Sequence, residues 1–224
     1  MPYLYLVRHG QPDFAGNYDS ITALGAQQST WLGEHFAARG LRFARIVSGT
    51  LVRQVDTRDL IARALDLAID DVRDPGFNEY DHLSLLQEFE GERLQRIRAS
   101  GDRRLYFSGI RSALEQWSSR EGVPAGGETW VQFGARIHAG IARACDGLQR
   151  DDNVLVVSSG GVIGRYAADV LGATADTAIQ LNLQLRNTSV SEVIRPGEKP
   201  ARLVSFNAIA HLERADRNHA VTHS

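Results

Sequence analysis

Cysteine is almost missing from this chain. It occurs once, at Cys145, so an internal disulfide is excluded. Its surroundings, GIARACDGL, read as small-residue packing in a helix rather than a nucleophile's setting. Lysine is as scarce: of 25 basic residues, Lys199 alone is lysine. Arginine is therefore a habit of the composition, and no single arginine is a strong clue. An excess of one charge is lacking too. The balance of 25 basic against 27 acidic residues leaves a net charge of −2. General attraction to nucleic acid or to a membrane surface is not expected. No apolar run is long enough to span a bilayer, and no leader-like pattern precedes the first strand. A cytoplasmic protein is the expectation. Internal repeats and low-complexity tracts are absent as well.

What is present is an alternation. Strand-like runs and helix-like runs succeed one another over 224 residues, which predicts one α/β domain over residues 1–224. Residues 3–7 read as a buried strand. Leu24, Trp31, Leu32 and Phe36 recur at helical spacing, with Gly40 as the stop. FARIVS, 43–48, is a second strand, and Thr50 can cap a helix running to about Leu67. On it Arg53 and Thr57, four residues apart, share a face. A third strand is expected within 68–79. Residues 82–120 then read as a helical insertion, a candidate lid, with six arginines between Glu92 and Arg111. After PAGGET comes a long helix with Trp130, Phe133, Ile137 and Ile141. DNVLVVSS is apolar without alternation, as in a central parallel strand. VIGRYAADVLG follows as a helix. NTSVSEVIR and ARLVSF, separated by PGEKP, predict a C-terminal antiparallel hairpin. Residues 212–224 are expected to fray.

The chemistry collects at strand ends. Arg8, His9 and Gly10 follow the first strand, Arg53 the second, Glu79 the third, and Ser158 to Gly161 the fourth. In an open parallel sheet those positions gather at one edge, where ligands bind. Guanidiniums and helix N-termini suit phosphate oxygens. An imidazole among them can attack phosphorus, and a carboxyl can manage the leaving-group proton.

LVRHGQ at 6–11, SGTLVRQVDT at 48–57, NEYDH at 78–82, GGET at 126–129, VVSSGG at 156–161 and RNTSV at 186–190 resemble the histidine phosphatase superfamily, which includes the phosphoglycerate mutase-like proteins. The resemblance implies a mainly parallel central sheet with helices on both faces and a variable insertion after the catalytic acid. It implies His9 as nucleophile through a phosphohistidine, Arg8 and Arg53 as phosphoryl ligands, and Glu79 as general acid and then general base. Two neighbouring cations would keep a nucleophilic imidazole neutral by pushing its pKa down. No metal and no cofactor are expected, because the arginines supply the positive charge.

One position departs from the family pattern. Where the superfamily carries Val-Ser-His-Gly-Gly, this chain has Val157-Ser158-Ser159-Gly160-Gly161. Ser159 keeps a hydroxyl donor but cannot supply a charge. Loss of one oxyanion donor costs about 10²–10³ in rate. His82, three residues beyond Glu79, is a candidate replacement. Gly10, Gln11, Asn17, Ser159, Gly160 and His82 are candidate substrate contacts, and Asn187 a further pocket residue. Glu79 and His82 also have the spacing of half a di-iron motif, but no second copy exists. The expected activity is hydrolysis of a small phosphomonoester or a phosphopeptide. The rivals are mutase-type phosphoryl transfer and phosphoester binding without turnover.

Overall fold

The computed structural model describes residues 3–14, 16–68, 72–124, 127–149, 151–195 and 200–223. Three strands run parallel: β1 (Tyr3–Arg8), β2 (Arg45–Ser48) and β3 (Val154–Ser158). β4 (Val190–Ile194) pairs antiparallel with β1, and β5 (Arg202–Ala208) antiparallel with β4. The order across the sheet is β2-β3-β1-β4-β5. Eight helices complete the described residues: α1 (Ala23–Ala38), α2 (Val52–Ala64), α3 (His82–Phe89), α4 (Gly91–Ser100), α5 (Arg103–Ser119), α6 (Trp130–Ala144), α7 (Gly160–Val170) and α8 (Ala175–Gln184).

The period-2 geometry of a strand explains why β1 and β3 carry unbroken apolar runs. Tyr5, Val7, Leu155 and Val157 face one side and pack with Leu32 and Phe36 of α1 and Ile61 of α2. Leu4, Leu6, Val154 and Val156 face the other and pack with Phe133, Ile137 and Ile141 of α6 and Val162 and Ile163 of α7. Each buried apolar side chain contributes about 1.5–3 kcal/mol, so a polar group at any of positions 154–157 of β3 would destabilise one layer or the other. The sheet is mixed but mostly parallel, with helices on both faces.

Caps set the helix starts. Thr22 accepts the Gly25 amide at 3.0 Å, Asp81 the Ser84 amide at 3.1 Å, and Asp102 the Arg104 amide at 2.8 Å. Thr129 and Gln132 form a reciprocal capping box at α6. Gly40 closes α1 with a left-handed φ of 65°, as its position predicts.

Three expectations need correction. Residues 72–79 hold no extended strand. Arg73 makes one parallel bridge to Ser48, and Pro75–Phe77 coil into a 3-10 turn. Residues 69–71 of that expected strand lie outside the described residues. Helix α2 starts at Val52 with Leu51 at its cap. Thr50 instead exchanges hydrogen bonds with Asn78, at 2.7 and 2.8 Å. The tail does not fray over 212–223. Leu212 and Ala220 are buried, Gln28 Nε2 donates to the Ala220 carbonyl at 2.7 Å, and His223 bridges Arg186. Those contacts are tertiary and leave no local periodicity to read.

Candidate active site

Arg8 lies opposite Ser158, and Ser48 opposite Val157, so all three parallel strands end at one edge. His9 is the first residue beyond β1 and is 1% exposed. Its backbone is tied down on every side. His9 N donates to Ser158 O at 2.9 Å, and its carbonyl accepts from Thr188 N and Asn187 Nδ2, both at 3.3 Å. Asn187 thus holds the His9 backbone. Gly10 donates its amide to Thr57 Oγ1 at 2.9 Å, and Thr57 Oγ1 donates to the Arg53 carbonyl at 2.8 Å. That hydroxyl is why Arg53 and Thr57 keep a four-residue spacing. Gly10 also passes close to α1, where a Cβ would meet the Gly25 carbonyl oxygen at 2.5 Å.

The His9 ring has a defined tautomer. Nδ1 is 2.8 Å from the Gly10 carbonyl, which can only accept, so Nδ1 carries the proton. Nε2 is then a lone-pair acceptor, and Arg53 Nε donates to it at 3.3 Å. Burial, with Arg53 and then Arg8 beside it, pushes the imidazole pKa well below its ordinary 6.5. His9 is neutral with an available lone pair at physiological pH.

Both arginines are buried, at 5% exposure each. Arg8 Nη1 donates to the Leu185 carbonyl. Arg53 Nη1 pairs with Asp19 at 2.8 Å, and its guanidinium lies 5.0 Å from the Tyr18 ring centroid. Asp19 also accepts the Val52 amide at 3.2 Å, which docks the 11–22 loop on the start of α2.

Glu79 enters from the segment between the 3-10 turn and α3. One oxygen accepts the Gly161 amide at 2.9 Å and the other its neighbour Tyr80's amide at 3.2 Å. Burial raises its pKa above 4.5, against the pull of those amides, Arg53 and Arg8. The segment is anchored three ways. Ser158 Oγ and Gln54 Nε2 both donate to the Phe77 carbonyl, at 2.7 and 3.0 Å. Arg136 donates to the Gly76 and Asn78 carbonyls, at 3.0 and 2.7 Å. Glu128 grips Arg136 with both oxygens, at 2.8 and 2.7 Å. The GGET stretch therefore works at a distance, through Arg136, on the placement of Glu79. Gly161 has no room for a side chain, since a Cβ would meet Glu79 Oε1 at 2.3 Å and the Tyr80 ring at 2.4 Å.

A neutral buried imidazole, two buried guanidiniums, and a carboxyl of raised pKa at a helix N-terminus meet at one sheet edge. Residues 4–209 match the model of the histidine phosphatase superfamily, branch 1. The chain belongs to the histidine phosphatase superfamily. A relative from Erwinia tasmaniensis named "Probable phosphoglycerate mutase GpmB" is 28% identical over 200 residues, covering 86% of this chain and 85% of its own. The alpha-ribazole phosphatase of Shigella flexneri has a similar structure, with a TM-score of 0.64 at 22% identity over 93% of this chain and 97% of that one. A mycobacterial glucosyl-3-phosphoglycerate phosphatase in complex with inorganic phosphate gives 0.65 at 22% identity over 95% and 100%.

Within this histidine phosphatase fold the remaining candidates separate. Ser159 is buried at the cap of α7, and its Oγ accepts from Gln54 Nε2 at 2.8 Å. Its own proton stays available for donation. Gly160 opens α7 against the Asn182 side chain. His82 is the first residue of α3, so Glu79 and His82 share no helix. It nevertheless lines one cavity with Arg8, Glu79 and Asn182. Its pKa is lowered by burial and by Arg53. Gln11 turns away, taking the Thr22 hydroxyl at 2.9 Å. Asn17 is exposed and closes a turn on the Asp19 amide at 3.0 Å. Its neighbours Tyr18 and Asp19 are the ones that engage Arg53. They and Gln54 carry no signal in the sequence, because their roles come from tertiary contact. Among the described residues no group of three histidines, cysteines or acids is placed to hold a metal ion. No described helix is long and apolar enough to cross a membrane.

Proposed function

We propose that this protein hydrolyses phosphoric monoesters through a phosphohistidine on His9. The observation that carries the reading is the His9 tautomer, with Nδ1 held by Gly10 and the Nε2 lone pair beside Arg53. Nε2 attacks phosphorus as the bond from phosphorus to the ester oxygen breaks. The leaving oxygen takes the proton of Glu79, whose raised pKa favours the acid form needed at that moment. Arg53 remains charged and redirects its Nε–H hydrogen bond from Nε2 to a phosphoryl oxygen, and Arg8 binds another. Glu79, now a carboxylate, takes a proton from water. That water attacks phosphorus, the N–P bond breaks, and phosphate leaves with His9 neutral again. The amino end of α7 and the Ser159 hydroxyl, polarised by Gln54, supply neutral donors where the family pattern has a second histidine. Turnover is expected to be slower for that loss and to need no metal.

The mutase reading draws support from the relative named for that activity. A mutase must hold two phosphates, however, and beyond Arg8 and Arg53, both assigned to one phosphoryl group, no further guanidinium lines the adjoining cavity among the described residues. Hydrolysis is the better fit.

The test is p-nitrophenyl phosphate turnover with and without EDTA, together with trapping of an acid-labile phosphoenzyme. Activity is expected in both buffers, and His9→Ala should abolish activity and phosphoenzyme together. A phosphoenzyme that survives in His9→Ala would refute the assignment.

A further inference from the structure

Building on the phosphomonoesterase reading, we infer that the substrate's leaving group is aromatic or otherwise apolar and carries no second charge. The cavity that Arg8 and Glu79 enter is walled by rings and aliphatic groups from three separate elements. Phe14 and Tyr18 come from the 11–22 loop, Tyr106, Phe107 and Ile110 from α5, and Leu183 from α8. The polar members are already engaged or neutral. Asn182 Nδ2 donates to Tyr80 Oη at 3.0 Å. The His82 ring packs edge-on to Tyr18 with centroids 5.3 Å apart. Burial pushes the Tyr106 phenol up to about 12, so it stays neutral.

The arginines of the helical insertion do not change this. Arg93 pairs with Glu90 at 3.3 Å and Arg111 with Glu115 at 3.9 Å. Arg96 and Arg104 are exposed, and none of the four lines the cavity. The side chains at 98 and 103 lie outside the described residues. Among the described residues, a carboxylate or second phosphate on the substrate would leave water for aromatic walls whose one lining cation, Arg8, is taken by the first phosphoryl group, which opposes binding. A flat or branched apolar group would be favoured by the same walls, because it removes apolar surface from water. The chemistry therefore points to an aryl or alkyl phosphate with one anionic end, rather than to a phosphorylated acid.

Uncleavable phosphonates test this without interference from leaving-group reactivity. Dissociation constants of methylphosphonate, phenylphosphonate and 3-phosphonopropionate are measured by calorimetry on the whole chain. Phenylphosphonate is expected to bind at least tenfold tighter than methylphosphonate, and 3-phosphonopropionate no tighter than methylphosphonate. In Tyr106→Ala/Phe107→Ala, checked for folding by circular dichroism, the phenyl-to-methyl preference should fall toward one. The inference is overturned if the carboxylated phosphonate binds best, if none of the three binds, or if the folded double variant keeps the full phenyl preference. The two readings fail separately. A preference for phenylphosphonate without any phosphohistidine would refute hydrolysis alone. A phosphohistidine with a preference for the carboxylated ligand would refute the substrate class alone.

Discussion

β1 and β3 are neighbours in the sheet, parallel and in register, and both run from buried apolar residues into the same edge. Their ends differ in kind. β1 delivers Arg8 and His9, a cation and an imidazole. β3 delivers Ser158 and Ser159, two neutral hydroxyls. The β1 end is held almost entirely through its backbone, which leaves the His9 ring to present Nε2. The β3 end turns its polar groups on the protein itself: the Ser158 hydroxyl on the Phe77 carbonyl, the Ser159 hydroxyl on Gln54, and the Gly161 backbone amide on Glu79. On the proposed mechanism, one end holds the reacting groups and the other places the acid. In consequence, positive charge at the site rests on two arginines, and their loss should be felt more than any change at Ser159.

The strongest break in this comparison is on the β1 side. Arg53→Ala removes the donor to His9 Nε2 and leaves Asp19 unbalanced beside the phosphoryl position. A charge-assisted hydrogen bond contributes about 1.5–3 kcal/mol, so vanadate affinity should fall by roughly 10- to 100-fold. Turnover should fall by about 10²–10³ because the same donor meets charge developing in the transition state. Arg8→Ala should behave alike. Arg96→Ala, on the exposed face of α4, is the control and should leave both constants unchanged. Equal losses in Arg96→Ala and Arg53→Ala would mean that net charge, not position, governs binding.

A smaller effect is expected on the β3 side. An imidazole at 159 in the serine's rotamer would overlap the Gln54 amide, which sits 2.8 Å from Oγ and is fully buried. Ser159→His alone should therefore gain little. Ser159→His combined with Gln54→Ala has room for the ring and should raise kcat by roughly tenfold, since it restores a charge-assisted donor. If the double variant gains nothing and His82→Ala loses about 10², then His82, which lines the cavity, carries the donor role instead.

Much of this edge can be read from the chain because it is local. A continuous apolar run followed by Arg8-His9-Gly10, or by Ser159-Gly160-Gly161, marks a strand entering a polar turn without any knowledge of the fold. The spacing of Arg53 and Thr57 is visible for the same reason. Gln54, Tyr18 and Asp19 are not, since a glutamine inside a helix and a tyrosine in a loop look solvated until the partner strand is in place. The segment before Glu79 reads as a strand because a single bridge at Arg73 and a 3-10 turn at Pro75 resemble an edge strand in composition. The aromatic walls are hidden in an insertion whose arginines dominate its sequence while its rings line the cavity.

The smallest effect sharpens the comparison from behind the β1 end. His211, 2% exposed, lies with Nε2 2.8 Å from Thr188 Oγ1. Thr188 N in turn donates to the Arg8 and His9 carbonyls. Burial first, then His35 and Arg217 nearby, lowers the His211 pKa from 6.5 to about 3. Between those values the unfolded chain binds a proton that the folded chain refuses. Stability is thus complete above pH 6.5 and declines as pH falls toward 3. The slope is roughly 1.4 kcal/mol per pH unit for each such proton once the unfolded histidine is charged. His9, lowered in the same direction, adds to that slope. Glu79, raised above 4.5, opposes it in the region of its own titration. No comparable buried histidine stands behind the described β3 end, so acid weakness should concentrate at β1. Urea unfolding between pH 7.5 and 5 should show the decline, and His211→Gln should remove about one proton from the slope. An unchanged slope in that variant would mean that the acid sensitivity belongs to His9 or to groups elsewhere, and that Thr188 holds the His9 backbone without help from the tail.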